Sequence, residues 1–142
     1  LQAPAKWEAE VRGFTRLGTQ RTEIGPEWPR VVFWTRARIL DEQPGLLRAI
    51  LRSHVRAVRL IRTDREHAVR TIERTLRYRR EHAERAYDEV VADLDERGGL
   101  SGRGLALFWQ AAVAAGEVKA PWPESRFFDR RFVDTFGDWA PP

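Results

Sequence analysis

The feature that most constrains this chain is RVVFWT at residues 30–35. Four consecutive apolar residues, β-branched and aromatic and without a helical period, predict a strand buried on both faces. A strand of that kind needs partners along its edges and layers above and below it. The rest of the chain supplies few. LQAP at residues 1–4 reads as a short strand stopped by Pro4, which lacks a backbone donor, and Phe14 with Leu17 reads as a second brief strand. One to three strands do not make a stable sheet.

Almost everything after residue 35 reads as helix. Residues 5–12 form a short helix with Trp7 and Val11 on one face, ended by Gly13. Asp41 or Gln43 is expected to cap a long helix with Pro44 in its first turn, carrying an apolar stripe of Leu47, Ile50, Leu51, Val55, Val58 and Ile61. Its opposite face holds Arg48, Arg52, Arg56 and Arg59. Thr63 and Glu66 stand in capping-box spacing and open a helix on Val69, Ile72 and Leu76. A third long helix covers residues 81–96, closed by Gly98 and Gly99. Ser101 caps a fourth, which buries Leu105, Phe108, Trp109, Ala112 and Val113. The tail from Pro121 holds Trp122, Phe127, Phe128, Phe132, Phe136 and Trp139 without a period, as in a segment that wraps a domain and fills grooves with rings.

With 142 residues, 42% hydrophobic and 32% charged, the chain has the composition of one globular domain and not of a disordered segment. No apolar run is long enough to span a bilayer, and no secretory signal order is present at the start. The absence of cysteine excludes disulfides, thiolate metal sites and a cysteine nucleophile. The net charge of +4 comes almost wholly from arginine, and residues 48–80 hold eleven arginines against Asp64, Glu66 and Glu73. Such a cluster could attract an acidic partner, although solvated helix faces are the ordinary explanation.

Tests for chemistry are mostly negative. His54, His67 and His82 fall on separate helices without the i, i+3 or i, i+4 pairing of a helical metal site, so no metal or cofactor is expected. His54 lies near an apolar stripe, where a packed, hydrogen-bonded role is expected. Gly98, Gly99, Gly102 and Gly104 lack the preceding strand and the Lys-Ser/Thr pair of a phosphate loop, and read as a helix stop followed by a helix start. Asp93, Asp95 and Glu96 lack the glycine of a calcium loop. No nucleophile elbow occurs. Trp34, at a strand end, would make a platform for a small organic ligand, with core packing as the plainer alternative.

The order of elements is distinctive. LQAPAKWEAEVRGFTRLG, a Gly-Pro loop, RVVFWTRARILDEQPGLLRAILRSHVRAVRLIR and AYDEVVADLDERGGLSGRGL together resemble the later half of the nitrate/sulfonate/taurine class of ABC-importer substrate-binding proteins, a group that includes binders of thiamine pyrimidine precursors. Pro4, Gly13, Leu17, the run Leu40-Asp41-Glu42-Gln43-Pro44 and the helix at 46–62 carry the likeness, with Tyr87, Gly99, Leu100 and Ser101 further on. The resemblance implies an α/β, type 2 periplasmic-binding-protein-like fold, this segment mostly helical with a hinge-crossing strand. Residues 1–30 would end the second lobe and form the hinge loop, and residues 31–142 would supply the return strand and C-terminal helices on the first lobe. Leu1 would then be an internal residue.

The implied function is that of the extracytoplasmic solute-binding component of an ABC importer, not an enzyme. It would close about a hinge on a sulfonate, a nitrate-like anion or a pyrimidine precursor. Gln2, Ala3 and Trp34 are the expected ligand contacts. Its partners would be the N-terminal half of the same protein and an ABC permease, with no nucleic acid, in the periplasm or another extracytoplasmic space and at the membrane only through the permease or a lipid anchor. Ala3 departs from the pattern, because many relatives carry a carboxylate there. Two alternatives stand beside this reading: a basic helical nucleic-acid-binding module using residues 48–80, and a pyrimidine-precursor synthase-like enzyme, whose cysteine-rich motif this chain lacks.

Overall fold

Pro44 supplies a preset φ and no orphan donor at a helix start, and twenty residues without an acid or an internal glycine beyond Gly45 then run as one helix, Pro44–Thr63. It is the longest element of a computed structural model that describes residues 2–29 and 31–142. Numbered along the chain, the helices are α1 (Ala5–Val11), α2 (Gln20–Glu23), α3 (Ala37–Glu42), α4 (Pro44–Thr63), α5 (Arg65–Leu76), α6 (Arg80–Val90), α7 (Gly102–Ala114), α8 (Arg131–Asp134) and α9 (Phe136–Trp139), with 3-10 turns at Val91–Asp93 and Glu124–Arg126.

The expected α/β architecture is overturned: 62% of the chain is helical and no strand occurs among the described residues. Gln2 and Ala3 lead into α1 without regular structure, residues 14–19 are irregular, and residues 31–35 are irregular and exposed. Leu1 and Arg30, the outer ends of two expected strands, lie outside the described residues. The physical reason is the one that made the run notable. β propensity reflects fit to a pleated, half-buried surface, and with no strand edge among the described residues to receive them Val31, Val32 and Trp34 join no sheet. No hinge-crossing strand is formed, and Val31 and Trp34 are 91% and 88% exposed instead of buried.

The chain divides into two compact units, each drawn from separated stretches of sequence. The first unit comprises residues up to Arg16, Ala49–Glu96 and Ala140–Pro142. Its centre is the α5–α6 hairpin, where Ala68, Val69, Ala83 and Tyr87 are buried and Ile61, Ile72, Tyr78 and Val91 pack against them. Of the expected α4 stripe Val55 and Val58 are buried while Ile50 is 45% exposed, and the Tyr87 hydroxyl donates to the Ile61 carbonyl at 3.0 Å. Asp64, not Thr63, caps α5: its carboxylate accepts from the His67 amide at 2.9 Å, while Thr63 closes α4 with its hydroxyl on the Arg59 carbonyl. Arg77 takes a left-handed φ of 55° at the end of α5, a place more often given to glycine. The helix expected over 81–96 ends at Val90 and continues only as the 3-10 turn.

The second unit comprises Leu17–Arg48 and Arg97–Trp139. Ser101 caps α7 as expected, its oxygen accepting from the Gly104 amide at 3.2 Å. Gly104 is there for a second reason: a Cβ built on it would lie 2.0 Å from the Glu27 carbonyl oxygen. The last part of the aromatic tail fills a core, with Phe132, Phe136 and Trp139 buried and the Trp139 indole donating to the Phe132 carbonyl at 2.8 Å, while Trp122 and Phe127 are 40% and 39% exposed. Helix α3 is an element that sequence periodicity did not show, and its Asp41 accepts from Arg131 at 3.0 Å instead of capping α4.

Candidate binding surface

The three residues expected to contact a ligand fall in different units: Gln2 and Ala3 in the first, Trp34 in the second. Gln2 is exposed, and its carbonyl accepts from the Lys6 amide at 3.0 Å. Ala3 is half-buried, and its carbonyl accepts from the Tyr78 hydroxyl at 2.9 Å. These are backbone anchors for the start of α1, which leave Gln2 with an exposed side chain.

The bond to Tyr78 belongs to a larger arrangement around Trp7. Trp7 is 1% exposed. Its indole N–H donates to Glu89 Oε1 at 3.2 Å, Tyr78 meets the ring edge-on at 6.4 Å and the His82 ring lies 5.3 Å away. Lys6 and Arg85 stand over the indole at 5.3 and 5.2 Å, a cation–π geometry, and Lys6 also pairs with Glu89. Burial pushes the Glu89 carboxyl up, but the bonds from Lys6 and Trp7 outweigh it and hold the group below the ordinary carboxylate value. The cluster holds α1 against the α5–α6 hairpin within the first unit. His54 is likewise engaged, its Nε2 3.1 Å from the Asp95 carbonyl oxygen, to which a ring nitrogen can only donate.

The arginine-rich stretch is heavily compensated by carboxylates. Arg80 holds Glu66, Glu73 and Glu84, Arg65 holds Asp88, Arg70 holds Glu66 and Arg59 holds Glu96. Hydrogen bonds from Arg80 lower the Glu66 pKa, and the bond from Arg59 lowers that of Glu96. The positive field suggested by composition is therefore cut back inside the first unit. An open surface depression of about 550 Å³ lies along α5, lined by His67, Arg70, Thr71, Glu73 and Arg74, with both charge signs present. Among the described residues no group of three or more His, Cys, Asp or Glu is placed to hold a metal ion.

Both units expose large apolar side chains, Val11, Phe14 and Leu76 among them in the first, and the second carries the longest consecutive run. Val31, Val32, Phe33 and Trp34 are 91%, 54%, 63% and 88% exposed, a contiguous run in open solvent. Among the described residues, the backbones of Val31, Val32 and Trp34 make no hydrogen bond. The same unit carries an aromatic series: Trp28 meets Phe108 at 5.8 Å, Phe108 meets Trp109 at 5.2 Å, and Trp109 meets Trp122 at 5.8 Å and Phe127 at 5.5 Å. Arg126 covers the Trp122 ring at 4.1 Å. Sequence reading missed this series because its members come from three segments without a common period, and only the density of aromatic residues hinted at it.

No helix among the described residues is long and apolar enough to cross a membrane. Comparison with protein-family models, with curated proteins and with solved structures returned no match.

Proposed function

We propose that this chain is a binding component and not a catalyst, namely the C-terminal portion of the extracytoplasmic solute-binding part of an ABC importer. The observation that carries the reading is the exposed run at 31–34. An apolar, aromatic segment held in solvent marks a place where a ligand or another polypeptide docks. Trp34 presents its indole openly there, as a platform for a planar organic solute requires. The acidic-x-x-Pro run Asp41-Glu42-Gln43-Pro44 leading into the twenty residues of α4 also supports it, since the resemblance places a long helix at that point. The partners on this reading are the N-terminal half of the same protein and a permease. The hinge mechanism is not carried over, because the strand on which it depended is absent.

Isothermal titration of the intact protein against taurine, nitrate and an aminopyrimidine, with tryptophan emission followed in parallel, tests the reading. One class should release heat, and Trp34→Ala should weaken that binding by about tenfold, the loss of one stacked aromatic contact. Absence of heat with all three would overturn it.

A further inference from the structure

Helix α4 has three sides. One is buried, centred on Val55 and Val58. A second carries arginines, at Arg48, Arg52, Arg56 and Arg59. The third consists of Ile50, Ser53, Ala57 and Leu60, all in the first unit and spaced by three, four and three residues, so that helical geometry alone places them on one line. Ile50 and Leu60 are each 45% exposed, although an amphipathic helix normally needs only one apolar side. Ten residues of rise make this line about 15 Å long.

We propose that this third side of α4 is a docking surface for an acidic amphipathic helix of a partner protein, an inference independent of the solute reading. Charge complementarity names the partner. The helix contains five arginines and no acid, and Arg52 and Arg56 edge the apolar line along one flank. Arg56 makes no ion pair among the described residues. An incoming helix with glutamates or aspartates along the matching flank would neutralise it. The shape of the line favours a helix over an anionic lipid surface. Ser53 and Ala57 are small and sit in its middle, so that a second helix can settle its ridge between Ile50 and Leu60. A membrane-surface helix instead presents large anchors, commonly aromatic, with basic residues bordering them. The line has no ring, and its other edge turns into the buried side.

The test uses a fluorescein-labelled synthetic helix of about eighteen residues with leucines spaced four and three apart on one face and glutamates along one flank. Anisotropy should rise on titration with the intact protein and the affinity should fall with added salt. The doubly substituted Ile50→Asp/Leu60→Asp and Arg52→Glu/Arg56→Glu proteins should each bind about tenfold more weakly or worse. A peptide with lysines in the flank should recover binding to the arginine-reversed protein and not to the other. All four positions are on solvent-facing sides of α4, and unchanged far-ultraviolet circular dichroism would show that the variants fold. The inference is overturned if the peptide does not bind, if a glutamine-flanked peptide binds equally well, or if phosphatidylglycerol vesicles adsorb the protein while the peptide does not.

Discussion

The indole N–H of Trp7 donates to Glu89 across 3.2 Å, joining a residue near the start of the chain to one some eighty positions later. Because Trp7 is 1% exposed and ringed by Tyr78, His82, Lys6 and Arg85, this pair ties α1 to the α5–α6 hairpin. Trp7→Ala should destabilise the first unit by about 3–5 kcal/mol through the cavity it leaves. Trp7→Phe keeps most of the ring and removes the indole's bond to Glu89, whose carboxylate still pairs with Lys6, and should cost less. Urea unfolding of the two variants beside the parent would rank them.

Stability should fall in acid. Glu10, Glu66, Glu89 and Glu96 all have pKa values lowered in the fold from an ordinary 4.5. For Glu10 the causes are hydrogen bonds from Arg85 and then Arg16. A carboxylate whose pKa is depressed by folding adds stability that is fully present above its unfolded value and is lost as the pH falls through the folded value. The urea midpoint should therefore be flat from neutral pH to about 5 and then decline as pH drops below the ordinary carboxylate value. Glu89→Gln should flatten part of that decline. A midpoint that held constant down to pH 3 would contradict this assignment.

Gly104→Ala should damage the second unit. The new methyl would meet the Glu27 backbone oxygen at 2.0 Å, so main chain has to move, at a cost of about 1–3 kcal/mol. Gly102→Ala is the control, since nothing lies within 4 Å of a Cβ there. It should be neutral or raise the melting temperature slightly by restricting the unfolded chain.

Asp64→Ala should cost about 1 kcal/mol, the usual worth of an N-cap. Thr63→Ala should cost less, because its hydroxyl only repeats a bond to the Arg59 carbonyl that helix α4 can do without. Thermal denaturation of the two single variants separates a cap at Asp64 from the capping box suggested by the Thr63–Glu66 spacing. In the fold, Glu66 accepts from Arg70 and Arg80 instead.

Local signals carried much of the helical order. Pro44, the stripe through Val55 and Val58, the cap at Ser101 and the stop at Gly13 act over one or two turns, and each is found where periodicity and cap chemistry place it. The end of the ring-rich tail was also legible as a core-filling segment, in the burial of Phe132, Phe136 and Trp139, whereas Trp122 and Phe127 stay exposed. Helix α3 was not legible, because six residues span fewer than two turns and show no repeat of an apolar side, and neither was the outward turn of Val11, 85% exposed one turn after Trp7.

By itself, then, the sequence determined that the chain has a long helix from Pro44 with Val55 and Val58 on its buried side and a helix opened by Ser101, because those outcomes depend on neighbours within about four residues. Only the tertiary structure decided the fate of residues 31–34, the pairing of Trp7 with Glu89 and the close approach of Gly104 to Glu27. Each of these depends on what arrives from distant parts of the chain. A strand exists only when another strand receives its hydrogen bonds, and for Val31, Val32 and Trp34 none of the described residues does.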